Sequence, residues 1–348
     1  AVLYVVNAFT GALIKSFEAS AGSPSVVNGL STPGFLYNEK RELVAAYAGD
    51  LQGNMWKFDL SSNTASDWKV AFSGSPLFLA KDKTANHVVQ PITVPPALGY
   101  HPKGGYMVNF VTGKYFEDSD SASTQPQTVY GIWDNSDING VTASVVTGAR
   151  DTILQEQVLS ADADTKELGG ANLTTTVVDW KTKRGWFIDL TLGTGERGIG
   201  EPFITDDTTL WVTTLDPIGD PCSGGGDSRL MGFNFLSGTA SDTPLFDTDG
   251  KDGVTSTDKK ISVIKTGGTV ASSASYKVPA PCGGAGQAAC PSNTNCGKPG
   301  MPACPPPACQ GSSRKVLINR LDGTTQEMSI ARKCLPPLRV WHEMDVAY

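Results

Sequence analysis

Charge is scarce in this chain: charged residues make up 18% of its 348 positions, and histidine occurs only at His87, His101 and His342. With a formal net charge of −7, it lacks the basic excess through which proteins hold nucleic acid or anionic lipid, so neither partner is expected. No apolar run approaches the roughly 18–20 residues that a membrane-spanning helix requires. Helical periodicity is weak too; the one stretch that reads as a helix, Asp151 to Leu159, is short and runs into polar residues. Catalytic signatures are also missing. His342-Glu343 begins like a zinc-protease helix, but Val346 stands where the second histidine belongs, and Gly113-Lys114 is followed by Tyr115 rather than the Ser or Thr of a phosphate-binding loop. No Gly-x-Ser-x-Gly elbow occurs. The acid pairs Glu117/Asp118 and Asp206/Asp207 fall on loops and read as solvated rather than as a glycosidase pair. The expectation is a protein without catalytic activity or an organic cofactor.

What the chain has in quantity is turns. Its 38 glycines separate short apolar runs. The clearest instance is Tyr47-Ala-Gly-Asp-Leu-Gln-Gly-Asn-Met-Trp-Lys-Phe-Asp-Leu60, where apolar residues lead into Gly49-Asp50, a second turn follows at Gln52-Gly53-Asn54, and Met55, Trp56 and Phe58 open another strand. Gly, Asp and Asn tolerate the positive φ that tight hairpin connections require. Leu3–Ile14 and Leu230–Gly238 repeat the layout, and Tyr106–Gly113 and Gly185–Gly193 are looser copies. Such repetition predicts an all-β fold of stacked or radial sheets. A propeller is favoured because Trp56, Tyr115, Trp133, Trp186 and Trp211 recur near strand–turn junctions, where neighbouring sheets would bury them. Four or five blade-like units fit, and further blades are expected before residue 1. The absence of an initiating Met reads as a processed product or a fragment of something longer.

Five of the seven cysteines crowd the Gly/Pro-rich stretch 279–312, read as an insertion in a single domain spanning 1–348. Cys282-Gly-Gly-Ala-Gly-Gln-Ala-Ala-Cys290-Pro291 matches Cys296-Gly-Lys-Pro-Gly-Met-Pro-Ala-Cys304-Pro305 at both cysteines, two glycines and the closing proline. The reading is two small disulfide loops, Cys282–Cys290 and Cys296–Cys304, in an oxidising compartment. Zinc is the rival, although the spacing is not that of zinc ribbons and no histidine lies nearby.

One further loop carries ligand chemistry. In Asp247-Thr-Asp249-Gly-Lys251-Asp252-Gly253-Val-Thr-Ser-Thr-Asp258, the first, third and twelfth positions are carboxylates, as a calcium loop requires. Lys251 takes the fifth position and Gly253 falls one place late, so Asp252 would have to swing in. Asp247, Asp249, Asp252 and Asp258 are therefore the candidate metal ligands, beside the plain reading of a solvated turn. Asp162 and Asp164 read as a charged loop.

The Tyr47–Asp59 segment closely resembles the hallmark of the PilY/PilC family of type IV pilus biogenesis factors and tip adhesins. Other stretches follow in that family's order: Asn28–Pro33, Tyr106–Tyr115, Tyr130-Gly-Ile-Trp-Asp134, Gly185–Leu190, Gly195-Glu-Arg197, Asp220-Pro-Cys-Ser223 and Phe246-Asp-Thr-Asp-Gly250. The resemblance implies a modified, quinoprotein-like β-propeller, incomplete here, that supports pilus extension at the cell surface or pilus tip. Its implied partners are minor pilins and host or abiotic surfaces. It also implies a calcium loop ahead of the hallmark, where this chain has Tyr37-Asn-Glu-Lys-Arg-Glu-Leu-Val-Ala45. Arg41 and Ala45 stand where carboxylates belong, so that site reads as lost. A periplasmic quinoprotein dehydrogenase and a secreted calcium-dependent carbohydrate-binding module are the alternatives.

Overall fold

The computed structural model describes residues 1–19, 26–136, 143–205, 208–217, 226–250, 254–266, 270–277, 314–320 and 324–330. Its architecture follows from strands that are apolar on both faces. In Leu43–Gly49, Ala45 and Tyr47 face one way into one buried cluster, while Ala46 and Ala48 face the other way into a second. A strand with that pattern needs a sheet on either side. The chain supplies them in sequence.

The first sheet is the two-stranded ribbon β1 (Val2–Val6) and β2 (Leu13–Glu18). The second runs β3 (Gly34–Tyr37), β4 (Leu43–Gly49), β5 (Asn54–Asp59) and β6 (Lys69–Val70), with β7 (Phe78–Leu79) also on β5. The third combines β8 (Ala97–Tyr100), β9 (Tyr106–Val111), β10 (Thr128–Asp134), β11 (Gln155–Gln157) and β14 (Gly185–Asp189). The fourth holds β12 (Leu159–Ala161), β13 (Ala171–Leu173), β15 (Arg197–Gly198), β16 (Phe203–Ile204), β17 (Thr209–Pro217), β18 (Gly226–Asn234) and β19 (Val263–Lys265). The fifth is β20 (Val270–Lys277), β21 (Arg314–Arg320) and β22 (Thr325–Ile330).

Four apolar layers join these five sheets. Phe17 packs on Phe58 between the first and second. Tyr47 and Met55 meet Phe110, Tyr130 and Phe187 between the second and third. Val111, Trp133 and Trp186 meet Val212, Met231 and Phe233 between the third and fourth. Trp211 and Leu230 meet Val316, Ile318 and Ile330 between the fourth and fifth. The period-2 alternation of each strand distributes its residues between consecutive layers. Trp56, Trp133, Trp186 and Trp211 are buried as expected, but Tyr115 is only half-buried.

The helix expected over Asp151–Leu159 is cut to a single turn, Arg150–Ile153, before the chain extends into β11. The third sheet takes the residues that would continue it: Gln155, Glu156 and Gln157 pair in parallel with Trp186, Phe187 and Ile188 of β14, while the Arg150 guanidinium, over the Phe187 ring at 4.1 Å and donating to Asp189, anchors the turn to the same sheet. The seven cysteines, and with them both disulfide loops, lie outside the described residues. The 279–312 segment leaves after β20 and returns before β21, whose residues Lys277 and Arg314 are partners in the ladder.

Candidate functional site

The β4–β5 hairpin owes its shape to one carboxylate. Asp50 is fully buried. Its Oδ1 accepts from the backbone N–H groups of Gln52 and Asn54, both at 2.9 Å, and fixes the turn. Its Oδ2 accepts from Asn28 Nδ2 at 2.9 Å, Asn54 Nδ2 at 3.0 Å and Trp56 Nε1 at 2.8 Å. Gly53 sits at φ +79 with Ala80 and Gln90 carbonyl oxygens 2.7 and 2.9 Å from where a Cβ would lie, so only glycine fits. The hallmark residues Asp50, Gly53, Asn54 and Trp56 thus form a closed hydrogen-bonding unit with no donor left for a ligand.

Lys57, two residues from Trp56's neighbour Met55 on the same face, does something different. It is buried, and its ammonium lies 3.0 Å from Asp134 Oδ2, on β10 of the third sheet. Tyr47 Oη donates to the same oxygen at 2.7 Å. Burial raises the Asp134 carboxyl, but Lys57, Ser136 and Tyr47 together outweigh it and hold it below the usual range. Two more pairs are local to single sheets: partly buried Arg150 with Asp189 of the third sheet at 2.9 Å, and buried Arg229 with Glu196 of the fourth at 3.2 Å. Arg197 donates to the carbonyls of Gly195, Lys114, Asp120 and Ser123, stitching the Gly195-Glu-Arg197 turn to the loop after β9. None of these was read from the sequence. The available signal was a lone charge inside an apolar strand, as in Trp56-Lys57-Phe58 or at the end of Tyr130-Gly-Ile-Trp-Asp134.

Of the candidate metal ligands, the structure brings three together. Asp247, Asp249 and Asp258 place one carboxylate oxygen each within 4.8 Å of one another, the one such cluster among the described residues. Asp252 lies outside those residues. Asp258 closes the loop: Oδ1 accepts from the backbone N–H of Thr248 at 2.7 Å, and Oδ2 from that of Thr255 at 2.6 Å. Burial pushes its carboxyl up, yet the hydrogen bonds from Thr255 and Thr248 outweigh that and hold it low, so it stays an anion. Asp247 Oδ1 accepts from Gly250 N–H at 2.8 Å. This donor set fits a hard cation such as calcium in kind, and three carboxylates leave the remaining positions of a six- to eight-oxygen shell to carbonyls, water or Asp252. The loop is anchored at Phe246, which bridges Ile330 of β22 and packs edge-on to Trp211 at 5.7 Å.

The Tyr37–Ala45 stretch is organised without acid clustering. Asn38 Oδ1 accepts from Lys40 and Glu42 N–H, and its Nδ2 donates to Glu42 at 2.8 Å, while Arg41 takes φ 62. Backbone bonds from Asn38 N–H to the Glu42 carbonyl and from Arg41 N–H to the Asn38 carbonyl, each 2.9 Å, close the same turn. In the 162–164 loop, Asp162 accepts from Thr165 and Asn172, and Asp164 pairs with exposed Lys259, as a solvated loop would. His101 is buried, stacked on Trp133 at 4.3 Å and edge-on to Trp180 at 4.5 Å, with Nδ1 accepting from Lys103 N–H. Burial, helped by Lys103, pushes its pKa down to about 4.

The comparisons with known proteins agree with this architecture. Residues 1–172 match the family model described as the PilY1 beta-propeller domain. The chain is 32% identical over 290 residues to type IV pilus biogenesis factor PilY1 of Pseudomonas aeruginosa strain UCBPP-PA14, covering 71% of this chain and 25% of that protein. It is 30% identical over 259 residues to a PilY1 homolog of Xylella fastidiosa, covering 69% and 17%. The chain therefore spans about a quarter or less of the length of these relatives. The crystal structure of the P. aeruginosa PilY1 C-terminal domain superposes with a TM-score of 0.68 at 25% identity, covering 95% of this chain and 66% of that one. With this fold and these matches, the chain belongs to the PilY/PilC family of type IV pilus biogenesis factors and is similar to its C-terminal β-propeller domain.

Proposed function

We propose that this chain is the non-enzymatic propeller portion of a type IV pilus-associated protein that supports pilus assembly and extension and contributes to adhesion at the pilus tip. The observation that carries the reading is the match to proteins named as pilus biogenesis factors over 71% of the chain. The distribution of its polar chemistry is consistent with a scaffold. Asp50, Lys57, Asp134, Arg150, Asp189, Glu196 and Arg197 are committed to internal hydrogen bonds and ion pairs. His101 is enclosed by tryptophans. Binding to minor pilins and to a host or abiotic surface would then fall to the loops, including the Cys/Pro-rich segment with its proposed Cys282–Cys290 and Cys296–Cys304 bridges.

Within this reading, Asp247, Asp249 and Asp258, with Asp252, would hold calcium, whose charge would offset their mutual repulsion and stiffen the loop against β22. A calcium-dependent rise in melting temperature that Asp247→Ala removes would support the site; identical melts with calcium and with chelator would sink it. Immunogold labelling of surface pili tests the functional reading. Label on pilus tips, with purified protein that is colourless and inactive in dye-linked alcohol oxidation, is expected. Label absent from pili would end the pilus assignment, and a bound quinone would favour the dehydrogenase.

A further inference from the structure

The second and third sheets diverge at one end of the layer between them. Lys57 and Asp134 bridge the two sheets, and beside that bridge lies a cleft of about 570 Å³, within the usual size of small-ligand sites. One wall is a cross-strand row. Leu36, Ala45, Asp59 and Lys69 stand opposite one another on β3, β4, β5 and β6. They therefore share a face, the one that carries Ala45 into the layer against the third sheet. Tyr106 of β9 and Ser136, just past β10, line the cleft from the third sheet, and Phe72 and Ser73 line it from the turn after β6.

Two features of this cleft are left unused by the fold. The first is a charge pair that does not close. Opposite charges facing each other across a ladder ordinarily interact. Asp59 Oδ1 accepts from the Ser61 N–H at 3.0 Å and from its hydroxyl at 2.6 Å. Asp59 Oδ2 and the Lys69 ammonium, however, have no hydrogen-bond or ion-pair partner among the described residues. The second is strain. Phe72 and Ser73 take φ 53 and 57 in succession, the left-handed region that residues other than glycine avoid. That turn sets Phe72 against the apolar layer and leaves Ser73 exposed on the rim.

We infer that this cleft binds an uncharged saccharide. Among the described residues its charges balance, Lys57 and Lys69 against Asp59 and Asp134, so charge favours neither an anion nor a cation. A hydroxyl both donates and accepts. Neighbouring hydroxyls of a sugar ring can therefore give to Asp59 Oδ2 and take from Lys69 together, while Phe72 and Tyr106 supply aromatic surface for the ring's apolar face. An extended peptide would instead pair with a strand edge, and this cleft opens between sheet faces. Such a site would give adhesion a chemical target, but it rests on the cleft alone and not on the pilus reading.

A glycan array probed with the purified chain tests the site. Uncharged hexose or N-acetylhexosamine glycans should be retained. Titrated by calorimetry, the best retained of them should bind with an affinity that changes less than about two-fold between about 50 and 500 mM salt. Asp59→Asn keeps an acceptor for Ser61 and Lys69→Met keeps the stem, so both should melt within about 1 °C of the parent. Each should weaken binding about ten-fold or more. Lys259→Met, on the Asp-rich loop, should bind as the parent does. Retention of acidic glycans alone, lost in salt, would overturn the uncharged ligand. Binding that survives both cleft substitutions would overturn the cleft as its site. An array that retains no uncharged glycan, or a cleft that captures peptides instead, would overturn the inference and leave the pilus assignment as it stands.

Discussion

Replacing Asp50 by Asn tests whether one buried carboxylate holds the hallmark hairpin. The substitution keeps size and the Oδ1 acceptor, so the bonds from Gln52 and Asn54 N–H can survive. At the second position an NH₂ would replace an oxygen that now accepts from Asn28, Asn54 and Trp56. Donor would then face donor. Each hydrogen bond to a charged group contributes about 1.5–3 kcal/mol, and a stranded buried donor costs about 1–3. These terms overlap, because Asn54 and Trp56 can shift together, so the expected loss is about 3–5 kcal/mol. At about 2 °C per kcal/mol for a chain of this length, melting should fall by about 6–10 °C. Urea unfolding followed by tryptophan fluorescence measures it, and Trp56→Phe supplies the control. The double variant Asp50→Asn/Trp56→Phe should lose less than the sum of the singles, because the indole N–H is no longer stranded. A melting point for Asp50→Asn within about 1 °C of the parent, or strict additivity with Trp56→Phe, would refute the reasoning.

Three other outcomes follow from the same structure. Lys57→Met strands the buried Asp134 charge and should cost about 3–5 kcal/mol; adding Asp134→Asn, which keeps an acceptor for Tyr47, should recover a substantial part in denaturant titrations. His101 has a folded pKa of about 4 against an unfolded 6.5; because folding favours the neutral ring, its contribution is complete above pH 6.5 and is lost as pH falls through 4. Allowing for partial solvent screening, that amounts to about 2 kcal/mol, and a His101→Phe variant should show a flatter stability profile between pH 6.5 and 4. Asp258→Ala should destabilise the protein by about 1–3 kcal/mol even in chelator, since it removes the acceptor of the Thr248 and Thr255 N–H groups.

The fold was largely legible because its strands alternate between two buried faces and its turns use Gly, Asp and Asn. Tyr47–Leu60 announced a hairpin, and β4 and β5 form one. The short helix was misjudged because the pairing of Gln155–Gln157 with β14 is a tertiary contact that local periodicity does not encode. The Asp-rich loop was visible as spacing, and three of its acids do converge. Asp258 as the loop's internal acceptor was not visible, since its partners are the backbone amides and hydroxyls of Thr248 and Thr255, residue types found in any loop. The Lys57–Asp134 and Arg229–Glu196 pairs link residues 77 and 33 positions apart, the first between the second and third sheets and the second within the fourth, and which charges meet depends on register that no single segment carries.

The most direct test of the account is the number of surface pili after deletion of the gene, scored as pilin released by shearing. The expected result is a loss of at least ten-fold, restored by the wild-type gene and only weakly by one carrying Asp50→Asn. Pili at wild-type abundance in the deletion strain would contradict it.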